Sequence, residues 1–438
     1  MTEKYQDCIT KVSDLIFHTI LENEEDLTAQ FFLLDGTVLS ILREIGLKVM
    51  SMLLSLIVAQ ITVKAQKKGF VVHRRPKINY TTIFGKFQLE SPYLWNRKSK
   101  KGIRPVKEKL GIKAGDCSLK VGRALTEFGC EDSFQLAAKR FEEHYGFCVE
   151  RSWLQREVQE KAKLAEDYVA KILKEAEENA PNKVDQKSDR ILLQLDGSMI
   201  RTGVYSLAKK RKRTPKRKLL KKTRKIDWVE IRVGLARPVE QKEKRTFIAR
   251  YGKYPELAKN LKAAAYLQGF SEESQLFAVA DGGPGLKEAL EVEFPTLQFI
   301  LDKAHLLQHL YQGAEALKIG KKQRSNWVNY LLNLLEREPV TTVTNKMRQL
   351  EVKRIDQLAN HLDRFQNSVQ YQKFRSLGLP IGSGEIESSH KYIPQKRLKI
   401  PGATWHPDSL NPMLALRVLK ANYWWQYFWQ ELHTQSLV

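Results

Sequence analysis

The sequence predicts an α+β protein whose core is a mixed sheet flanked by helices. Two observations carry this prediction. Between residues 183 and 317, short apolar runs alternate with amphipathic segments, which is the pattern of strands and helices that share one core. The stretches on either side show mainly helical periodicity. With 438 residues, the chain is long enough for two or three modules.

The chain is strongly basic, with 74 Lys and Arg against 50 Asp and Glu and a formal net charge of +24. An excess of this size favours a phosphate backbone as the partner, because each phosphate that a cation neutralises releases counterions. Ribosomal and membrane-surface proteins can be as basic. Charge therefore narrows the class of partner without identifying it.

The four cysteines form no Cys-x-x-Cys pair and have no paired histidine nearby. We therefore expect neither a zinc site nor a disulfide framework. Unpaired thiols are typical of small core residues in a reducing cytosol, so a cytoplasmic protein is expected. The cysteines are Cys8, Cys117, Cys130 and Cys148.

Residues 1–70 predict an N-terminal helical region. Its most apolar run, residues 49–63, has 15 residues between Lys48 and Lys64. This run is shorter than the roughly 20 residues that cross a bilayer, and no signal-peptide pattern precedes it. We interpret it as a buried or self-associating helix, and we expect no membrane partner.

Residues 71–182 predict a DNA-binding region made of a β-hairpin and a helix-turn-helix. Strand-like alternation covers residues 71–97, with Gly85 and Lys86 as the turn. Two helical segments then flank a short link, which is the spacing of a helix-turn-helix, although many helical hairpins bind nothing. The side chains that its second helix would present to DNA are Arg151, Ser152, Gln155 and Arg156.

Three stretches place a carboxylate beside a glycine-rich turn. Two apolar strand patterns end at Asp196-Gly197 and Asp281-Gly282, and a Gly-Ser-Gly turn precedes Glu385 and Glu387. A single Asp-Gly pair is more often a plain turn. Together, however, they suggest a carboxylate site at the carboxyl ends of the strands, suited to Mg²⁺ and to cleavage of a phosphodiester.

The third stretch predicts a helix that is capped by Ser383 and ends before Pro394. Because Glu385 and Glu387 are two residues apart on this helix, they point to different faces. Only one of them is therefore expected to face a site.

Two groups of cations accompany the acids. In residues 209–225, 12 of 17 residues are Lys or Arg. We interpret this run as a loop that holds DNA phosphates close to Asp196, although such runs are also common as solvated linkers. The cations expected to bind DNA are Lys209, Lys210, Arg211, Lys212 and Arg213 in this run, and Lys391, Lys396, Arg397 and Lys399 after the glutamates.

The order of these motifs resembles that of DDE transposases of bacterial insertion sequences. It is most similar to the Kra-type family, which is related to the Mutator-like group. The resemblance covers roughly residues 115–430. It rests on Asp196-Gly, Asp281-Gly, Leu301-Asp302-Lys-Ala-His305, Gly382-Ser-Gly-Glu-Ile-Glu387 and Gln395-Lys-Arg397-Leu-Lys399.

The resemblance implies an RNase H-like core, and the predicted order of three antiparallel strands, helix, strand, helix, strand, helix agrees with it. The core would occupy residues 183–317 and 380–438, the latter with the Glu-bearing helix and an aromatic C-terminal helix. A helical insertion, residues 318–379, would separate the two parts.

The implied catalytic residues are Asp196, Asp281 and Glu387, which would hold two Mg²⁺ ions, with Mn²⁺ able to substitute. Glu387 is preferred over Glu385 because the family motif places its glutamate after the isoleucine. Asp302 and His305 would have a supporting role. In the family a cysteine-bearing ribbon often occupies the place of residues 71–97. Those cysteines are missing here, so zinc is not carried over.

The implied function is cleavage and strand transfer on double-stranded DNA, with terminal inverted repeats and target DNA as partners. Since two element ends must be brought together, a homodimer or larger synaptic assembly is expected. The protein would be cytoplasmic and associated with a bacterial nucleoid. Two alternatives stay open, namely a related RNase H-like nuclease and a non-catalytic DNA-binding protein derived from a transposase.

Overall fold

The computed structural model describes residues 3–24, 26–180, 187–207 and 222–435. The chain divides into two compact units, which are Met1–Val158 with Glu431–Val438, and Gln159–Gln430. About 59% of the chain is helix and 18% is strand, and mixed sheets are present, so the predicted α+β class is confirmed.

The first unit begins with helices. They are α1 (Gln6–Asn23), α2 (Leu27–Gln30) and α3 (Leu34–Gln66), with single 3₁₀ turns at Glu3–Tyr5 and Phe31–Leu33. Helix α3 has 33 residues, of which only Val58, Thr62 and Ala65 are buried. Residues 49–63 are predicted to form a buried or self-associating helix. The buried alternative is wrong for most of this run, since only one face of α3 packs against the unit.

One stretch of the described chain, Leu27–Gln66, is long and apolar enough to cross a membrane by length and composition. Its most apolar window has a mean hydropathy of 1.8, and 11% of that window is buried. Length and composition alone are weak grounds for a membrane span, because the core helices of soluble proteins share them.

Two small sheets follow α3. Their strands are β1 (Val71–Arg74), β2 (Lys77–Thr82), β3 (Gly85–Glu90), β4 (Tyr93–Asn96), β5 (Lys101–Ile103) and β6 (Asp116–Cys117). One sheet has the order β1-β4-β5 and the other β3-β2-β6. Thr82 pairs with Gly85, so the hairpin turn lies at Ile83 and Phe84, and the predicted turn at Gly85 and Lys86 is wrong. The Thr82 hydroxyl stabilises the actual turn by accepting from Phe84 N and donating to Gly85 O.

Four helices continue the chain. They are α4 (Pro105–Leu110), α5 (Leu119–Glu131), α6 (Phe134–Tyr145) and α7 (Arg151–Asn179). The side chains of Ser118 and Ser133 cap α5 and α6 by accepting from backbone amides of the first turn. Gly146 ends α6 in the left-handed conformation, with φ of 73°.

The second unit is built on a five-stranded sheet with the order β11-β10-β7-β8-β9. Its elements are β7 (Arg190–Leu207), β8 (Lys222–Pro238), β9 (Thr246–Arg250), α8 (Tyr254–Leu267), β10 (Gln275–Ala280), α9 (Leu286–Glu293), β11 (Gln298–Leu301) and α10 (Lys303–Ala316). Strands β7, β8 and β9 are antiparallel, whereas β10 is parallel to both β7 and β11. The predicted order of strands and helices is confirmed.

Strands β7 and β8 form a longer hairpin than the sequence predicts. Their ladder continues from Ile191 opposite Pro238 to Leu207 opposite Lys222, so Asp196 lies within β7 and not at its end. Leu207 is eleven residues beyond Asp196, roughly 36 Å along an extended strand. The predicted DNA contacts Lys209, Lys210, Arg211, Lys212 and Arg213 lie outside the described residues.

The remaining helices are α11 (Lys321–Arg337), α12 (Val340–Arg348), α13 (Lys353–Asp363), α14 (Tyr371–Ser376), α15 (Gly384–His390), α16 (Lys396–Leu398), α17 (Leu410–Ala421) and α18 (Trp425–Gln435). Residues 318–379 are thus largely helical, as their sequence pattern predicts. A π-helical turn, Lys391–Gln395, connects α15 to α16 and contains Pro394. Helix α15 ends at His390, before Pro394 as predicted, but the helical path continues through Pro394 because this wider turn accommodates the missing amide proton.

Two glycines of α3 offer a matched test of its packing. A Cβ at Gly46 would lie 2.5 Å from the ring of Phe84, whereas a Cβ at Gly36 would meet nothing within 4 Å. We expect Gly36→Ala to stabilise the protein by about 0.5–1 kcal/mol through helix propensity. Gly46→Ala should be less stable than Gly36→Ala by about 1–3 kcal/mol, because the added methyl overpacks the contact. Urea denaturation of both variants measures the difference, and equal stabilities would contradict the described packing of α3 on Phe84.

Candidate functional site

Three strands deliver an acid to one end of the five-stranded sheet. Strand β10 ends directly before Asp281, and β11 ends directly before Asp302. Ala280 of β10 pairs with Leu195 of β7, so the residues that follow them, Asp281 and Asp196, lie at the same level of the sheet. Strand β7 continues beyond Asp196, but its parallel neighbours β10 and β11 end at this level, so the three carboxylates lie beside the carboxyl ends of β10 and β11.

Asp302 connects this edge to the helix that carries the glutamates. Its buried carboxylate accepts from the Ser383 amide at 2.5 Å and from the Ser383 hydroxyl at 2.7 Å, both at Oδ2. On the strand side, the Asp302 amide donates to the Ala280 carbonyl at 2.9 Å. A further bond ties α15 to β7, because the Ile386 amide donates to Gln194 Oε1 at 3.0 Å. The start of α15 is therefore fixed on the ends of the strands.

The two glutamates of α15 have different partners. Glu387 Oε1 lies 3.0 Å from the Ser383 hydroxyl, next to Asp302. Glu385 instead accepts two hydrogen bonds from the buried Arg237 guanidinium, from Nε at 2.9 Å and from Nη2 at 2.6 Å. This confirms the expectation that only one of the two faces the acids. Glu387 is that residue.

The Ser383 hydroxyl lies between two carboxylates but carries one proton. Its oxygen is 2.7 Å from Asp302 Oδ2 and 3.0 Å from Glu387 Oε1. The proton can be donated to only one of these oxygens at a time. The other contact is repulsive unless a cation or a second proton offsets it.

Asp302, His305 and Glu387 have ligand atoms that all lie within 4.8 Å of one another. Among the described residues, a second group of possible metal ligands has the same close spacing. It consists of Asp116, Cys117 and Glu157 and lies in the first unit. The closest grouping thus combines Glu387 with the two residues that were assigned a supporting role. Asp196 and Asp281 lie outside it.

Asp196 and Asp281 nevertheless belong to the same electrostatic cluster. Burial raises the pKa of the Asp196 carboxyl, and the charges of Asp281 and Glu387 raise it further. A hydrogen bond from the Gly197 amide and the charge of His305 lower it. The Asp281 carboxylate itself accepts from Gly283 N at 2.9 Å. We refer to Asp196, Asp281, Asp302 and Glu387 together as the acid cluster.

His305 is held by Asp302. The Asp302 Oδ1 atom accepts from the His305 amide at 2.9 Å, and the imidazole Nδ1 is 3.2 Å from the same oxygen. Burial opposes ionisation of Asp302, yet hydrogen bonds from His305 and Ser383 hold its pKa well below the usual range. The same contact raises the pKa of His305. The pair therefore favours a protonated imidazole at the rim of the acid cluster.

His390 is a site residue that sequence reasoning missed. Its buried imidazole Nε2 is 3.3 Å from the Asp196 carbonyl oxygen and 3.4 Å from Oδ2 of the same residue. Burial lowers the pKa of His390 to about 4, so the ring is neutral at neutral pH. The available signal was its position three residues after Glu387, which places both on one helix face.

The predicted DNA contacts differ in exposure. Ser152 and Arg151 are exposed on α7 with Arg156, while Gln155 is half-buried. After the glutamates, three cations are exposed, namely Lys391, Lys396 and Lys399. Arg397 is buried and its guanidinium lies 4.7 Å from the centre of the Trp405 ring, so its expected role as a surface contact to DNA is wrong.

No protein-family model matches the chain, and a search of curated proteins finds no match.

The ion pair of Arg237 and Glu385 gives a test of how α15 is held. Arg237→Met should lower the free energy of unfolding by about 3–5 kcal/mol, because it leaves a partly buried carboxylate without its partner. The double variant Arg237→Met with Glu385→Leu should recover most of this loss, since both charges are then removed. Urea denaturation of both variants measures the two effects. Additive destabilisation in the double variant would contradict a coupled pair.

Proposed function

We propose that this protein is a DNA transposase of the DDE type that cleaves and joins DNA in a metal-dependent reaction. The observation that supports this most is the acid cluster at the end of the sheet. Two of its carboxylates follow the ends of β10 and β11, one lies within β7 and one on α15, so four carboxylates from widely separated parts of the chain converge there. Three antiparallel strands followed by two parallel ones, with β7 central, also agree with the RNase H-like core that the resemblance implies.

The cluster fits a divalent cation on its own chemistry. Its ligands are carboxylate oxygens, which hard ions such as Mg²⁺ and Mn²⁺ prefer. Two carboxylates also share the single proton of Ser383, and neighbouring acids raise the pKa of Asp196. Each of these is an electrostatic cost that a bound cation would relieve.

We propose that Asp196, Asp281 and Glu387 hold the metal, with Asp302 and His305 beside them. The bound ion would activate a water or a 3′-hydroxyl and stabilise the leaving oxygen. The protein's other groups position these ligands. His390 donates from Nε2 to Asp196, and Asp302 places α15 so that Glu387 enters the cluster. His305, whose pKa is raised by its contact with Asp302, is placed to donate to a phosphate or leaving oxygen.

The DNA would meet the cluster beside exposed cations. Lys391, Lys396 and Lys399 follow the Glu387 helix within 12 residues, so phosphate contacts and the metal ligands would belong to one segment. Double-stranded DNA with terminal repeats, and target DNA, would be the partners of a homodimer or larger synaptic assembly. We place this activity at a bacterial nucleoid in the cytoplasm.

Two glutamates of one helix supply the test of this proposal. The substrate is labelled DNA that carries the terminal repeats of the insertion sequence. It is incubated with the protein and Mg²⁺ or Mn²⁺. Glu387→Gln should lower the cleavage rate by at least about 100-fold, because it removes a metal ligand. Glu385→Gln is the matched control, because its amide oxygen can still accept a hydrogen bond from Arg237. Once circular dichroism shows that it is folded, it should retain cleavage.

The outcomes separate the candidate functions. Cleavage with joined products supports a transposase, whereas cleavage without joining supports a nuclease. Binding without cleavage by the parent chain would instead support a non-catalytic DNA-binding protein. Equal loss of activity in the two glutamine variants would contradict the assignment of Glu387.

Metal binding has a readout that needs no activity. At a tenfold excess over its Kd, Mg²⁺ adds about 1.4 kcal/mol to stability and should raise the Tm by about 2–4 °C. Asp196→Asn should unfold at a higher temperature than the parent in EDTA, because one repulsive charge is removed, but it should lose the shift with Mg²⁺. Asp227→Asn, an exposed acid on the same hairpin, is the control and should keep the shift. An undiminished shift in Asp196→Asn would exclude Asp196 as a ligand.

A further inference from the structure

One face of helix α3 packs in the core of the first unit. Val58 is buried there with Leu89, Val106 and Ile112, and Leu54 packs against the same cluster. Further along the helix, the ring of Phe84 lies against Gly46. This face is therefore covered by the β2–β3 hairpin and its surroundings.

The other face carries an uninterrupted heptad pattern. Apolar residues recur at alternating intervals of three and four, which is the 3.5-residue period of a coiled-coil seam. Six of the seven side chains are large, and they are between 37% and 65% exposed. The seam consists of Leu42, Ile45, Val49, Met52, Leu56, Ala59 and Val63.

The pattern indicates what kind of surface would cover the seam. A helix that is apolar all round is normally buried on all sides. The 3.5-residue period repeats over roughly 32 Å of helix, and it suits another long helix better than a sheet or a pocket. No other described helix of this unit is as long as α3 and has the same repeat, so a second copy of α3 is the matching partner.

The available area is sufficient for a specific interface. Burying one large apolar side chain removes roughly 60–120 Å² from water, at about 25 cal/mol per Å². Six such side chains from each of two helices give roughly 700–1,400 Å², which reaches the size of specific protein interfaces. The exposed Leu53, next to the seam, adds to it.

A lipid bilayer fits this helix less well. The face opposite the seam packs on a β-hairpin, and a Cβ on Gly85 would lie 3.3 Å from the Leu47 side chain. Small open sheets leave backbone groups at their edges that hydrocarbon cannot satisfy. In addition, the Arg43 guanidinium donates to the His144 carbonyl at 2.8 Å, which places a charge inside the apolar stretch.

We propose that α3 of one chain pairs with α3 of a second copy through this seam, so that the first unit is a dimerisation module. The pairing rests on the exposed heptad pattern and is independent of the proposed catalytic function. It would hold whether the assembled protein cuts DNA, joins it or only binds it.

The test compares two neighbouring substitutions on α3 in the full chain. Leu56→Asp places a charge in the seam, whereas Ile57→Asp places the same charge at an exposed position outside it. The protein is treated with nuclease and kept in high salt, so that nucleic acid cannot bridge two basic chains. Sedimentation over a wide concentration range then gives the dissociation constant of each form.

We expect the parent and Ile57→Asp to dimerise, and Leu56→Asp to dissociate at least about 100-fold more readily, since pairing would bury its carboxylate in the apolar seam without a partner. Circular dichroism checks that the variants are folded. If Leu56→Asp does not fold, Met52→Lys, at the most exposed seam position, takes its place.

Three results would overturn the proposal. A parent chain that stays monomeric has no such interface, and equal weakening by both substitutions means that the seam is not specific. Flotation of the parent with vesicles of phosphatidylcholine and phosphatidylglycerol, lost equally in both variants, would assign the apolar surface to a membrane.

Discussion

The buried carboxylate of Asp302 is the interaction on which the candidate site depends. One of its oxygens caps α10 through the His305 amide, and the other binds the amide and hydroxyl of Ser383 at the start of α15. Its own amide is bonded to β10. Asp302 therefore fixes α10, α15 and β10 relative to one another.

Much of the second unit follows from local pattern. Alternating strands and amphipathic helices predicted the order of its elements, because each strand there must bury apolar side chains against a helix. The length of the β7–β8 hairpin did not follow, since Gly197 after Asp196 looked like the end of a strand. In the structure that glycine lies inside the strand, where a Cβ would come within 2.3 Å of Glu230 Oε1. The sequence alone does not distinguish a glycine that close packing requires from one that a turn requires.

The site was predictable to the extent that it is local. Helix periodicity alone separates Glu385 from Glu387, and the structure confirms that they face different partners. Periodicity could not identify Arg237, which is 148 residues from Glu385 and becomes its partner only through the position of β8. The same holds for Arg397, which looks like a surface cation in a basic run but is buried beside Trp405. Contacts between distant segments decide these cases, and no window of sequence contains them.

The charge distribution has a consequence for how the proposed ligands would bind. The chain carries a net charge of +24, yet the acid cluster concentrates four carboxylates. At physiological ionic strength, charges are screened over about 8 Å, so a polyanion is attracted to the exposed lysines while the cluster repels it only at close range. A divalent cation in the cluster would reverse that local repulsion. Metal and DNA would therefore each strengthen the binding of the other, because coupling between two sites is reciprocal. The positioning of Glu387 by Asp302 and Ser383 would then control the affinity for DNA as well as the chemistry.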